Sequence, residues 1–595
     1  MIFRMEDNGS STNPFSSGFF EARFAAAKDE PEKTVTSNHN DDQTELTARE
    51  PLDAPVAVQD LSLSEIPAGA ENARLVISPR GPAPSPLVDV EAVVPFHLGQ
   101  GPGELLAVLQ TSKSAWFSLT LAADIECTFY YDPASDNLVL RNSSYQSLKI
   151  DPIGDETSDT DPHTLEYRDV HLVPPGPWRI YSEDGAVLVD FLVLRRRYLL
   201  ETQTRGAQAG SKRKDVAPIE TPVKRYRAGA EAGSIDQSIV LISKPPSNLS
   251  TEKAQLELVR AGNPLVSLLP GQAVFISTLG EAGEAGNSPR VNPNQEVIAS
   301  YAQDMPESYS LLHLRDIAST KGFASVFSAR HDVFGDTAVK VIRTKQASQF
   351  SYIPTMAQNW KHEEQILRKV KHPSIIRFFG SDARLYSIYM EHLPFPDLNA
   401  WRNRPHDHYF VGTADDAERI LRDMASALEY LREQKIQHND IKPGNILYDR
   451  ERGPVLIDFG LASPHGGQLC TGGTPWYVPR EFIRDLERGP KSDVYALGVT
   501  LLYLLRRTPL PDVTQRGWII NKALRDSSET VHMEAWLSKV QAMRAKLDET
   551  SQVESLVSDM LGVLPRDRKS AREIVEAMAQ RLREVTGLQQ QVAKG

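Results

Sequence analysis

The sequence predicts a multidomain chain with three parts in series: a disordered tail, a β-sandwich-like domain, and an α+β domain whose strands come first and whose helices follow. Three observations predict it. The 595 residues exceed what one compact core usually holds, so several domains are expected. Between 87 and 200, short alternating apolar runs follow one another, separated by turn residues. From about 307 onward, strand-like runs give way to helical periodicity that lasts almost to the end.

Residues 1–86 are rich in Ser, Thr, Asn, Asp, Glu and Pro without sustained periodicity, the composition of a disordered tail. Phe19, Phe20 and Phe24 form an apolar island there, either scattered tail residues or a short docking motif. Strands are expected at Val90–Leu98, Leu105–Gln110, Trp116–Leu121, Cys127–Tyr131, Leu138–Leu140, Leu165–Val173, Trp178–Tyr181 and Ala186–Leu194. Asp-Pro, Asn-Ser-Ser and Pro-Pro-Gly turns divide them, the texture of an antiparallel sandwich. The run from Asn137 to Ser144 resembles forkhead-associated domains, which implies a phosphoprotein partner. That family's glycine-arginine, serine-x-x-histidine and asparagine-glycine signatures are absent, and an unassigned β interaction domain is the other reading.

Residues 201–235 read as a basic linker, with Lys212-Arg213-Lys214 and Lys224-Arg225-Tyr226-Arg227 as its clusters. Two such clusters on a flexible segment suit a nuclear import receptor; the alternative is a solvated charge run. A short β segment, with β-like runs at Ser238–Ser243 and Ala273–Ser277 and a turn at Pro270-Gly271, and a further linker are expected over 236–306, and a C-terminal tail over 586–595.

The net charge of −12 argues against direct nucleic-acid binding by the chain as a whole. Two cysteines, Cys127 and Cys470, in no redox or metal spacing suit an intracellular chain, nuclear or cytoplasmic. No apolar leader follows Met1, and the longest apolar run, Ala496–Leu505, is too short to span a bilayer, so no membrane association is expected.

The chemistry concentrates in the last domain, expected over 307–585. Strand-like runs cover Ser308–Leu314, Ser325–Ala329 and Thr337–Ile342. A helical stretch follows at Trp360–Val370, then an amphipathic helix with Ile420, Met424, Leu428 and Leu431 on one face. The stretch His438-Asn439-Asp440-Ile441-Lys442-Pro443-Gly444-Asn445 places an acid, a lysine and an amide in one short loop. Asp458-Phe459-Gly460 lies after it, and Ala338-Val339-Lys340 lies before it.

In order and spacing these motifs resemble those of eukaryotic protein kinases of the serine/threonine type. The resemblance implies the bilobal protein kinase fold, ATP and Mg²⁺ as cofactors, and protein substrates. It places Asp440 as the base that orients the substrate hydroxyl, Lys442 against the γ-phosphate, and Asn445 and Asp458 on metal. Lys340 would grip the nucleotide phosphates, paired with Glu363, whose spacing matches the family's helix glutamate, while its neighbour Glu364 is expected to be a solvated helix glutamate. Met390, Glu391 and Leu393 fall at the hinge that meets the adenine edge, with Leu447 beneath the base and Val326 and Ala338 above it.

Several positions depart from the family. Of the glycines in its phosphate loop only Gly322 remains, one place out of register, while Ser319, Lys321 and Ala324 hold the glycine positions. The arginine that usually precedes the catalytic aspartate is Asn439, which implies control other than by a clamped loop phosphate. Thr474 is expected to bond Asp440 and Lys442, and Glu481 to pair with Arg568 in preference to Arg566. Asp493 and Gly498 are expected as scaffold. The alternatives to an active kinase are a pseudokinase scaffold and a phosphopeptide-reading adaptor.

Overall fold

The computed structural model describes Val58, Leu61, Ile66, Ala70 and residues 72–79, 87–88, 92–97, 104–122, 124–154, 161–196, 198–204, 263–278, 305–319 and 324–592, save 345–346, 405, 466–471, 486–487 and 524–526. The basic clusters Lys212-Arg213-Lys214 and Lys224–Arg227, the β-like run Ser238–Ser243, Gly322, Cys470 and the island at Phe19–Phe24 lie outside the described residues.

Twelve described strands make the first domain: β1 (Ala73–Pro79), β2 (Leu87–Val88), β3 (Val93–His97), β4 (Glu104–Leu109), β5 (Trp116–Ala122), β6 (Ile125–Tyr131), β7 (Leu138–Asn142), β8 (Leu148–Pro152), β9 (His163–Leu165), β10 (Val170–Val173), β11 (Gly176–Tyr181) and β12 (Val187–Val193). They form two antiparallel sheets, ordered β3-β4-β1-β12-β11-β8-β9 and β10-β7-β6-β5-β2. The core between them collects one face of each strand, including Leu75, Ile77, Phe117, Phe129, Leu138, Leu140 and Phe191. Cys127 is a buried free thiol in this core.

The expected tail over 1–86 is corrected at its end. β1 is a central strand of the larger sheet, and Val58 and Ala70 are buried beside the domain. Arg74 hides this strand in the sequence, because a charge at its start breaks the apolar pattern. The side chain is buried, and it donates to Gln110 Oε1 (2.7 Å), the Leu194 carbonyl (3.0 Å) and the Asp136 carbonyl (2.8 Å). The single expected strand Leu165–Val173 is two strands, β9 and β10, parted by a turn in which Arg168 takes φ 70°.

The second domain begins earlier than 307. β13 (Tyr198–Thr204) pairs with β14 (Gln272–Thr278), and β14 pairs with β15 (Tyr309–Ser319). These continue into β16 (Ala324–His331), β17 (Gly335–Ile342), β18 (Phe378–Asp382) and β19 (Ser387–Glu391), in the order β13-β14-β15-β16-β17-β19-β18. The boundary at 200, the start of the basic linker at 201 and the separate segment over 236–306 are thereby corrected. Strands far apart in sequence pair through backbone groups, and no local pattern signals that.

One long helix, α1 (Ile353–Lys369), packs on this sheet. The C-lobe is built from α2 (Ala414–Glu433), α3 (Pro490–Leu504), α4 (Ser527–Arg544), α5 (Gln552–Met560) and α6 (Ala571–Val592). α6 runs into the expected tail over 586–595. Thr413 opens α2 with a capping box through Asp416. Gly498 lets α3 approach α5 closely: a Cβ there would lie 3.1 Å from Met560 and 3.0 Å from Leu561. The bilobal α+β arrangement is the fold the resemblance implies. No helix among the described residues is long and apolar enough to cross a membrane.

Candidate active site

Strand alternation sets the upper wall of the cleft. On β17, Val339 and Val341 enter the apolar cluster on one side of the N-lobe sheet, so Ala338 and Lys340 face the other. Val326 on β16 lies directly opposite Lys340, which puts it on the same face. Lys340 is buried, and its Nζ donates to Glu363 Oε1 (2.7 Å), Glu363 Oε2 (2.8 Å) and Asp458 Oδ1 (2.9 Å). Burial alone would lower its pKa. The charges of Asp458 and Glu363 outweigh that and hold it above the usual lysine range, so it stays cationic.

Of the two adjacent glutamates on α1, Glu363 reaches the lysine. Glu364 turns to Arg368 (2.6 Å) and Lys361 (3.2 Å), and it is buried rather than solvated.

The catalytic loop hangs from α3. Asp493 accepts the backbone N–H groups of His438 (2.7 Å) and Asn439 (2.8 Å). Burial holds the Asp493 carboxyl above its usual range. Asn439 takes φ 65°, a left-handed conformation that asparagine adopts more readily than most residues. Its amide donates to the Leu461 carbonyl (2.9 Å) and Ser463 Oγ (2.9 Å). Arg488 donates to the Asn439 carbonyl (2.8 Å) and also to the Gly472 carbonyl. Leu461, Ser463 and Gly472 are thereby tied to the loop His438–Asn445 by direct hydrogen bonds.

Asp440 sits at the centre. Its Oδ1 accepts from Thr474 Oγ1 (2.7 Å), and its Oδ2 meets Lys442 Nζ (2.8 Å) and Asn445 Nδ2 (2.9 Å). Lys442 Nζ also donates to Thr474 Oγ1 (2.8 Å). Burial pushes the Asp440 carboxyl up, but the Lys442 charge and hydrogen bond, with Thr474, prevail and hold it below the usual carboxylate range. The group is ionised at neutral pH.

Asp458 takes φ 62°, a conformation held by its surroundings at some cost. The ring of Phe459 meets His438 edge-on at 4.8 Å. Asn445 donates both amide hydrogens towards Asp440, while its Oδ1 is buried and has no hydrogen-bond partner among the described residues. An orphaned amide oxygen and a carboxylate are hard donors suited to Mg²⁺, which takes few protein ligands and shares substrate phosphate oxygens. The residues fit that ion. Among the described residues no cluster of three or more His, Cys, Asp and Glu side chains forms a closed metal cage.

Glu391 ends β19, and its side chain is already committed, accepting from the Arg377 N–H (2.9 Å). Leu393 follows and packs on the main core, as does Met390. Leu447 lies on the hairpin Ile446–Asp449/Gly453–Leu456, across from Val455. Gly322 falls outside the described residues. Glu481 pairs with Arg568, not Arg566, at 2.6 and 2.9 Å. Arg488 and His362, whose Nε2 contacts the Ala462 carbonyl, were not legible in the sequence. Each acts through a backbone carbonyl, which no residue pattern marks.

A family model described as "Protein kinase domain" matches residues 321–578. A segment of 225 residues is 29% identical to "Serine/threonine-protein kinase PLK4" of Drosophila willistoni, covering 37% of this chain and 27% of that protein. A second, of 187 residues, is 32% identical to human "Putative serine/threonine-protein kinase PRKY", covering 29% and 65%. A third, of 209 residues, is 31% identical to human "cAMP-dependent protein kinase catalytic subunit PRKX", covering 32% and 56%. The chain thus spans between about a quarter and two thirds of the length of these relatives. The matched segment carries both the lysine–glutamate pair and the aspartate loop just described, and residues 321–578 are a protein kinase domain.

Proposed function

We propose that this chain is an active serine/threonine protein kinase, transferring the γ-phosphoryl group of ATP to Ser or Thr hydroxyls of protein substrates. The observation that carries this reading is the buried set Asp440, Lys442 and Thr474, mutually bonded at 2.7–2.8 Å. An ionised carboxylate at that point can orient a substrate hydroxyl and take its proton as the phosphorus–oxygen bond forms. Lys442 supplies a cation beside it for the transferring group. Lys340, kept charged by two carboxylates, binds the phosphates. Val326, Ala338 and Leu447 would hold the adenine, with the backbone at Glu391 and Leu393 meeting its edge. Bound through Asn445 Oδ1 and Asp458, Mg²⁺ would neutralise charge on the phosphate oxygens.

A scaffold without transfer is the competing reading. The degenerate loop around Gly322 favours it. The intact set at Lys340, Glu363, Asp440, Asn445 and Asp458 opposes it. Incubation with labelled ATP, Mg²⁺ and a generic acceptor protein separates the two. The native chain is expected to label serine and threonine, and an Asp458→Asn variant is not. Equal labelling by both would refute the reading.

A further inference from the structure

The smaller sheet of the β-sandwich has two faces. Phe117, Phe129, Leu138 and Leu140 point into the sandwich core. The alternate residues of the same strands point outward, and strand register aligns four of them. Trp116 is opposite Tyr130, Tyr130 is opposite Val139, and Val139 is opposite Leu172. This apolar row crosses β5, β6, β7 and β10 on the outer face, where a free-standing sandwich would meet water. It is covered instead. Tyr130 and Val139 are buried in the main core of the kinase domain, with Trp116 and Leu172 packed against it. The covering element is α1, which lies across β6 and β7, with the turn Ala347–Tyr352 against β10.

Polar contacts fix the same junction. The Tyr386 hydroxyl donates to the Tyr131 carbonyl at 2.6 Å. Tyr386 takes φ 48°, a conformation a bulky residue holds only when its surroundings impose it. Its ring stacks on Trp360 of α1 at 6.1 Å, one turn before Glu363. The Tyr386 carbonyl accepts from Ile342, two residues after Lys340. Thr344 donates to Asp132 (3.2 Å), and Ala383 N–H to the Ser112 carbonyl (2.8 Å). The sandwich therefore touches both the helix that carries Glu363 and the strand ends that carry Lys340. All of its contacting residues lie before 321, outside the family match.

We propose that the β-sandwich is a positioning partner for the Lys340–Glu363 pair. Its outer row, with Val139 at the centre, braces α1 against the N-lobe sheet and keeps Glu363 within reach of the lysine. The role rests on the kinase reading above. An unbraced helix would let Glu363 withdraw, leaving Lys340 misplaced for phosphate. Misplacement of a reacting group by about 1 Å can lower a rate on the order of 100-fold.

The test uses the full chain with Val139→Arg, Val139→Ile and Tyr386→Phe. Val139 faces away from the sandwich core, so a charge there wedges the junction and leaves that core intact. Val139→Arg is expected to lower kcat between roughly 10- and 100-fold and to raise KM for ATP as well. Tyr386→Phe is expected to do the same more weakly, and Val139→Ile to behave as the native chain. Backbone hydrogen exchange is expected to rise in α1 but not in β6, β7 or α2. Loss of folded protein alone would lower kcat, leave KM unchanged and raise exchange throughout, and that pattern would overturn the proposal. Native kcat, KM and α1 exchange in Val139→Arg would overturn it too. Absence of transfer by the native chain would refute the kinase reading and the catalytic part of the proposal; α1 exchange would then decide the bracing by itself.

Discussion

Two buried ion pairs anchor the kinase domain, and they are built differently. Arg568 meets Glu481 through both terminal nitrogens, and its remaining donors reach the carbonyls of Gly562 (2.7 Å), Val563 (3.0 Å) and Lys491 (3.3 Å). Its guanidinium also lies over the Tyr495 ring at 4.8 Å. The guanidinium of that pair is fixed by three backbone carbonyls. Lys340 meets two side chains, Glu363 on a helix and Asp458 in a loop. Those carriers sit on different elements, and one of them leans on another domain. The first pair is a rivet. The second is a joint between a strand, a helix and a loop.

The largest effect should come from the rivet. Arg568→Ala leaves Glu481 buried and unpaired, which costs about 3–5 kcal/mol. Denaturant unfolding should show a correspondingly lower midpoint with the slope unchanged; a native midpoint would mean that Glu481 finds water.

Breaking the joint should act on rate instead. Lys340→Met keeps an apolar stem on β17, removes the phosphate clamp and should lower transfer on the order of 100-fold or more. Its unfolding midpoint should fall less than that of Arg568→Ala. The reverse ranking would erase the distinction between the pairs.

Smaller effects sharpen the picture of the activation segment. Thr474→Ala removes the bridge between Asp440 and Lys442 and should cost roughly tenfold in kcat. Phosphatase treatment should change the rate by less than about twofold, because Asn439 lacks the cationic fork that clamps a phosphate and Arg488 already ties the segment. A large drop, traced to Ser463 or Thr471, would show that another cation does the clamping.

What was legible in the sequence follows from where each contact lives. Lys340, Asp440, Lys442, Asn445 and Asp458 were picked out because they match the motifs that carry the resemblance, and the structure brings Lys340 to Asp458 and both Lys442 and Asn445 to Asp440. The pairings of Lys340 with Glu363 and of Glu481 with Arg568 were also readable from spacing, and the structure forms both; that Glu364 is buried against Arg368 and Lys361 needed the fold. β1 was lost in the tail because Arg74 interrupts its pattern, although its charge is fully bonded inside. β14 was readable as a strand at Ala273–Ser277, but β13 was divided between the sandwich and the linker because its partner β14 lies far along the chain, a pairing set by backbone groups. The brace at Val139 was invisible for the same reason. An outward apolar residue on a sandwich strand looks like any buried one until the covering helix is in place.

The central claim is that Asp440 addresses the substrate hydroxyl while Lys340 and Asp458 address the nucleotide. Steady-state transfer and direct nucleotide binding by Asp440→Asn, measured beside the native chain, test it most directly. The account predicts a fall in kcat on the order of 100-fold with ATP affinity close to native. Native turnover, or a loss of ATP binding with turnover preserved at saturation, would contradict it.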